Sequence, residues 1–286
     1  MRCRICGREA VYKELRFCPQ HFQAFYLKKI RSYLASLRIR NLKVLLAVSG
    51  GKDSVALAHG LSQVKSEFGL KLAVLFIDLG IPGYSEECRK YARGIAENLD
   101  LPFCLVRLSD YGKTIAEIRH ERICGICGTA KRYLMNRFAW ENGFDYIATG
   151  HNLDDELAFI LNGLLSQDLQ MVLGAEKFSP TRKEKKLIGK LKPLYYLTED
   201  ENRLYCEING LDYCRAKCPF SRSARQLEIK ERMKSLFKSK QEKINFVKTI
   251  RKIKKPQEEQ QVRLCEKCGF PSFQPVCKFC SLIVEK

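Results

Sequence analysis

One junction constrains this chain more than any other. Val44-Leu45-Leu46-Ala47-Val48 is a short apolar run that stops in Ser49-Gly50-Gly51, and a helical pattern follows from Asp53 to about Phe68. An apolar strand that ends in glycines and turns at once into a helix opens a βα unit buried on both faces. The same grammar repeats: residues 72–77 form a second strand candidate with a helix over 85–98 behind it, 103–108 a third strand, and 146–149 a fourth. Short apolar strands alternating with helices predict an α/β fold, a doubly wound parallel sheet that binds ligands at the carboxyl ends of its strands. The 286 residues allow one sizeable core with small appendages.

The junction Ser49-Gly50-Gly51-Lys52-Asp53-Ser54 carries chemistry as well as shape. Glycines let the backbone approach a ligand closely, amides at a helix start favour an anion, and Lys52 adds a positive charge. The G-x4-G-K-[ST] spacing of a Walker A loop is absent.

Charge is distributed unevenly. Residues 1–40 carry ten Lys/Arg against two acids and residues 222–255 thirteen against three, whereas 41–221 carry 24 against 23. Two basic flanks around a neutral body favour a polyanionic partner over a merely solvated surface, and nucleic acid is the partner expected. Tyr12, Phe17, Phe22, Phe25 and Tyr26 lie among the first basic residues, either to stack on unpaired bases or to form a small core. No apolar run is long enough to span a bilayer, and Met1-Arg2-Cys3 starts no signal region, so a cytoplasmic protein without a membrane partner is expected.

In such a compartment the 14 cysteines are expected to be metal ligands or reactive thiols, not disulfides. Cys3-x2-Cys6 with Cys18-x2-His21, and Cys265-x2-Cys268 with Cys277-x2-Cys280, form two quartets of soft or borderline donors. Four such ligands with no open position describe structural zinc, two ions per chain. Cys124 and Cys127 form a further pair and Cys218 a third thiol, beside Cys206 and Cys214. By residue type alone this central set fits an iron–sulfur cluster, a third zinc, a persulfide shuttle or plain buried thiols.

The S-G-G-x-D-S loop, the Cys124-Gly125-Ile126-Cys127 segment, Gly150-His151-Asn152-Leu153-Asp154-Asp155-Glu156 and Cys218-Pro219 together resemble one family. It is the TtuA-type branch of the tRNA 2-thiolation enzymes, among the PP-loop ATP pyrophosphatases. The resemblance runs over nearly the whole chain and implies four parts: an N-terminal zinc finger with a basic helix (1–40), the PP-loop catalytic domain (41–221), a basic helical extension and linker (222–262) and a C-terminal zinc ribbon (263–286). It implies ATP, with magnesium, at Ala47, Ser49, Gly50, Gly51, Lys52, Asp53, Ser54, Ile77, Asp78 and Gly150. It implies a [4Fe-4S] cluster on Cys124, Cys127 and Cys218, and catalytic roles for those thiols, Lys131 and Asp155.

The reaction so implied adenylates the 2-carbonyl of a tRNA uridine and replaces its oxygen by sulfur, with the Leu153-Asp154-Asp155-Glu156 form leaning towards the T-loop. The implied partners are tRNA, a ubiquitin-like thiocarboxylate protein as sulfur donor, and a second copy in a homodimer. Wobble-uridine thiolation, a PP-loop amidating enzyme and a non-catalytic zinc-ribbon RNA adaptor are the competing readings. The central thiols argue against the second of these, and the intact loop against the third.

Overall fold

The computed structural model describes residues 1–174, 176–223, 225–253 and 262–284. The expected polar linker around Pro256, and Lys254 and Lys255 of the second basic run, lie outside the described residues. The strands are β1 (Lys43–Ala47), β2 (Lys71–Asp78), β3 (Phe103–Arg107), β4 (Tyr146–Thr149), β5 (Phe178–Ser179), β6 (Gly189–Leu191), β7 (Arg263–Leu264) and β8 (Pro271–Ser272). The helices are α1 (Pro19–Ser36), α2 (Lys52–Phe68), α3 (Tyr84–Asn98), α4 (Ile123–Glu141), α5 (Leu153–Leu165), α6 (Leu169–Leu173), α7 (Glu199–Ile208), α8 (Arg225–Leu236), α9 (Lys240–Lys252) and α10 (Lys278–Leu282).

The first six strands form one sheet in the order β3-β2-β1-β4-β6-β5. Every neighbouring pair is parallel except the edge strand β5, which runs antiparallel to β6. Strands β5 and β6 have two and three residues, too few for a period to show in the sequence. From β1 the chain builds outward to β2 and β3 on one side and to β4 and β6 on the other. The carboxyl ends of β1 and β4 therefore flank a switch point, where such sheets open a crevice.

Strand alternation divides the core. Val44, Leu46, Val74, Phe76 and Ala148 face α1, α2, α3 and α7, while Leu45, Ala73, Leu75 and Ile147 face α4 and the C-terminal ribbon. On α1 the stripe Phe22, Tyr26, Ile30 and Leu34 repeats every four residues and is wholly buried. Each such side chain stabilises the fold by roughly 1.5–3 kcal/mol. Tyr26 stacks on Tyr205 at 3.8 Å and its hydroxyl donates to Asn202 Oδ1 at 2.8 Å. Tyr12, Phe17 and Phe25 pack around Phe22, so the aromatic set of the first basic segment is a core and not a base-stacking face.

The ribbon is bound as tightly. Phe279 stacks on Tyr133 of α4 at 3.8 Å, and the Lys113 amide donates to the Ile283 carbonyl at 3.1 Å. Both terminal segments thus share the core of residues 41–221. No helix among the described residues is long and apolar enough to cross a membrane.

Candidate active site and cysteine clusters

The phosphate-type loop is held from three sides. Within it, the Ser54 hydroxyl donates to the Gly51 carbonyl at 2.8 Å and accepts from the Ser49 amide at 3.2 Å. Gly50 adopts φ +82°, and a Cβ there would lie 2.3 Å from the Cys88 carbonyl oxygen. The Gly50 carbonyl accepts from the Cys214 amide at 2.8 Å. From β4, Gly150 presses on the first turn of α2, where a Cβ would stand 2.9 Å from the Asp53 carbonyl carbon. Ala47 closes β1, and Ile77 and Asp78 close the adjacent β2. Asp78 accepts from the Gly80 amide at 3.0 Å and faces Arg89 at 3.6 Å.

Burial pushes the Asp53 carboxyl up, and Lys52 at 3.1 Å and the Asn202 amide at 2.7 Å offset part of that cost. Lys52 also lies 3.8 Å from Glu199. Asn202 bridges Asp53 to Tyr26, so the N-terminal helix reaches the loop through one side chain.

Beside the loop stands a lattice of carboxylates and lysines. Asn152 caps α5, accepting from the Asp154 and Asp155 amides at 2.9 and 3.0 Å, and its own amide donates to Asp155 Oδ2 at 3.1 Å. Asp155 Oδ1 pairs with Lys230 at 2.5 Å, and Lys230 also binds Glu199. Lys243 pairs with Asp154 at 2.6 Å, and Lys240 with Glu201 at 2.5 Å, where the Tyr12 hydroxyl donates as well. Burial raises Glu199, but Lys230 and Lys52 outweigh it and hold the carboxyl below its ordinary range. Three lysines of the second basic run are therefore tied to carboxylates at the starts of α5 and α7.

Cys124 and Cys127 lie in the first turns of α4, and Cys218 precedes the turn that returns towards them. Cys124 Sγ is 3.5 Å from the Phe220 carbonyl oxygen. Burial raises the Cys124 thiol, the neighbouring Cys127 and Cys218 raise it further, and Lys131 opposes them. The structure thus gathers Cys124, Cys127, Cys218 and Lys131. The other two thiols go elsewhere: Cys214 and Cys88 meet in the core at 3.0 Å, and Cys206 is buried against the Lys52 carbonyl at 3.5 Å. Burial, then the Cys214 contact, pushes Cys88 up to about 12.

Both terminal quartets close. The four donor atoms of Cys3, Cys6, Cys18 and His21 lie within 4.8 Å of one another, as do those of Cys265, Cys268, Cys277 and Cys280. Two thiolates on one tetrahedral zinc stand roughly 3.8 Å apart, from Zn–S bonds of about 2.3 Å. The Cys6–Cys18 and Cys268–Cys277 separations are 3.6 and 3.8 Å, and His21 Nδ1 lies 3.2 Å from Cys18 Sγ. Against the effect of burial, backbone amides pull Cys3 down to about 5 and Cys265 to about 6, which favours the thiolate form a metal needs. Among the described residues the donors of Cys124, Cys127 and Cys218 are not gathered within that 4.8 Å limit.

Two residues with no role assigned from sequence stand at the strand ends. His151 follows Gly150 and shares a hydrogen bond with the Thr149 hydroxyl at 2.8 Å. It opens to solvent but sits in a crevice, where surrounding protein and the cations Lys192, Lys190, Lys230 and Arg132 pull it down to about 4. Lys190 on β6 is pulled down to about 8 by burial, Arg132 and Lys192. Neither stands out in the sequence, because β6 is too short to announce itself and the cations come from β6 and the residue just after it, α8 and α4.

Comparison with known proteins agrees with this geometry. Residues 22–222 match the PP-loop domain family. The chain is 36% identical to the tRNA-5-methyluridine(54) 2-sulfurtransferase of Pyrococcus horikoshii, covering 98% of this chain and 93% of that one. The chain belongs to the PP-loop tRNA 2-sulfurtransferase family. A second relative of the same description, from Thermotoga maritima, is 33% identical over 99% of this chain and 96% of its own length. Among solved structures, the U34-tRNA thiolase NcsA from Methanococcus maripaludis, described with its [4Fe-4S] cluster, superposes with a TM-score of 0.82 at 26% identity. That superposition covers 100% of this chain and 98% of the thiolase, so family membership extends to both terminal segments.

Proposed function

We propose that the chain is an ATP-dependent tRNA-uridine 2-sulfurtransferase that forms 2-thiouridine in the T-loop, at position 54. The observation that supports this reading is a chain of neighbours: Cys124 senses Cys127, Cys218 and Lys131, Lys131 also acts on Cys88 behind Gly50, and Asp155 acts on Asp53 of the loop. The loop amides and Lys52 hold the phosphates of ATP with its magnesium, and the ends of β1 and β2, with Ile77 and Asp78, receive the adenosine. The uridine 2-oxygen attacks the α-phosphorus and pyrophosphate leaves. Sulfide then adds at C2, and the C–O bond breaks to release AMP.

Lys131 offsets negative charge as it develops beside the thiols. Asp155 has both oxygens engaged, one by Lys230 and one by the Asn152 amide, which suits orientation of substrate better than proton abstraction. Cys124, Cys127 and Cys218 would hold a [4Fe-4S] cluster, whose fourth iron, free of protein ligation, supplies a site for the sulfide. The donor set fits that group: three thiols, none of them buried and less closely gathered than either terminal quartet. The terminal quartets would each hold one structural zinc.

A ubiquitin-like thiocarboxylate protein as sulfur donor, a homodimer and a cytoplasmic location complete the reading. The T-loop is favoured because the relatives at 36%, 33% and 32% identity are described for position 54, whereas the U34 thiolase is 26% identical. Mass spectrometry of tRNA nucleosides from a strain lacking the gene tests it. The 2-thio group should disappear from position 54; loss at position 34 instead would move the reading to the wobble uridine.

A further inference from the structure

A separate cavity of about 560 Å³ lies between α4 and the C-terminal ribbon, and no residue of the Ser49–Ser54 loop lines it. Its volume is that of a small-ligand site. One wall is finished by protein: Tyr133 stacks on Phe279 and meets Phe270 edge-on at 5.8 Å. Phe273 on the ribbon also lines the cavity, is 63% exposed and has no ring partner among the described residues.

The charges are one-sided. Arg132, Lys190 and Lys278 line the cavity, and none of its lining residues is acidic. Elsewhere Lys192, Lys230, Lys240 and Lys243 each meet a carboxylate. Lys190 meets none among the described residues, and Arg132 makes a long 3.4 Å bond to the Thr129 hydroxyl. Only the Cys127 thiol opposes the charge of Arg132, and Lys190 is faced by the cations Arg132 and Lys192 alone. Cations gathered with no carboxylate among their partners in a half-enclosed space call for an anionic ligand. An aromatic face left open beside them suits a flat base.

We propose that this cavity seats an unstacked nucleotide of the RNA substrate, its base against Phe273 and its phosphate between Arg132 and Lys190. This rests on the reading of the chain as a tRNA-modifying enzyme. Arg132 stands five residues beyond Cys127 on α4, so the seated nucleotide is a neighbour of the uridine being modified and not that uridine itself. The ribbon, on this view, completes a binding site as well as a core.

The test uses the full chain with two probes, an unmodified tRNA transcript and ATP, each titrated separately. Phe273→Ala should weaken tRNA binding roughly tenfold with an unchanged salt slope, because stacking releases no counterions. Phe273→Tyr should restore the affinity. Lys190→Gln and Arg132→Gln should each lower the salt slope by about one, because each removes a phosphate contact. All four variants should bind ATP as the parent does. Should Phe273→Ala fail to fold, the two slopes decide alone. Unchanged slopes in both Gln variants overturn the proposal, and so does a loss of ATP affinity, which would assign the cavity to the cofactor nucleotide. A parent protein that neither binds nor thiolates tRNA overturns the functional reading itself.

Discussion

The ends of the chain and its middle use the same device, two donors separated by two residues, and arrive at different sites. In each terminal quartet one pair lies in a turn and the other begins a helix, with Cys18 and Cys277 at the cap position. A cap side chain folds back over the first turn: Cys277 Sγ accepts from the Cys280 amide at 3.4 Å. The two pairs then converge to within 4.8 Å. Cys124 and Cys127 instead lie inside α4, past its cap, with one further thiol opposite, and none of the three is buried, whereas five of the seven terminal cysteines are. Spacing thus decides which residues can be ligands, and backbone conformation decides whether they close on one ion or present an open face.

The comparison breaks most visibly at the central thiols. Replacing Cys124, Cys127 or Cys218 by Ala should abolish 2-thiouridine formation and remove iron from anaerobically purified protein while ATP still binds, and Cys104→Ala should do neither. If Cys214→Ala strips the iron and Cys218→Ala does not, the third ligand has been misassigned. At the ends the same substitution should act on the fold. Cys265→Ser should lower zinc content from two per chain to one and destabilise by on the order of 5 kcal/mol, since binding free energy there is folding free energy. Elemental analysis and denaturant unfolding together check it.

Smaller effects sharpen the contrast between cations that hold the fold and cations left for a partner. Lys230→Ala leaves Asp155 and Glu199 facing each other without their cation. It should cost about 2 kcal/mol, less than for a fully buried pair, and should lower kcat along with the unfolding midpoint. His151 titrates near pH 4 when folded and near 6.5 when unfolded. The unfolded chain therefore binds the extra proton between those values, and stability should fall as pH drops through that window. His151→Gln should remove about 1 kcal/mol of that fall, a figure reduced for the solvent at its ring. The smallest effect belongs to Lys248, which is exposed on α9. Lys248→Glu should weaken tRNA binding a few-fold and flatten its salt slope, whereas Lys243→Glu should show in thermal unfolding, because Lys243 holds Asp154.

The sequence by itself determined the parallel sheet, the loop at its first strand end and the donor quartets. Each of these is local: an apolar run of five residues, a glycine pair at a helix start, two donors three positions apart. It also brought Lys131, Asp155 and the three central cysteines forward as a set, through motifs that resemble a family. Tertiary structure decided what depends on distant segments meeting. The aromatics of the first basic segment became core because Tyr26 found Tyr205, 179 positions away in the chain. Lysines that read as one basic run divided into those paired with Asp154, Asp155 and Glu201 and those left exposed. Cys214 was separated from Cys218, four residues on, by its contact with Cys88. The cavity lined by Arg132, Lys190 and Phe273 draws on a helix, a three-residue strand and the ribbon, and no window along the chain contains all three. Periodicity records which face of an element is apolar; which charges and thiols face one another is set only when those faces pack.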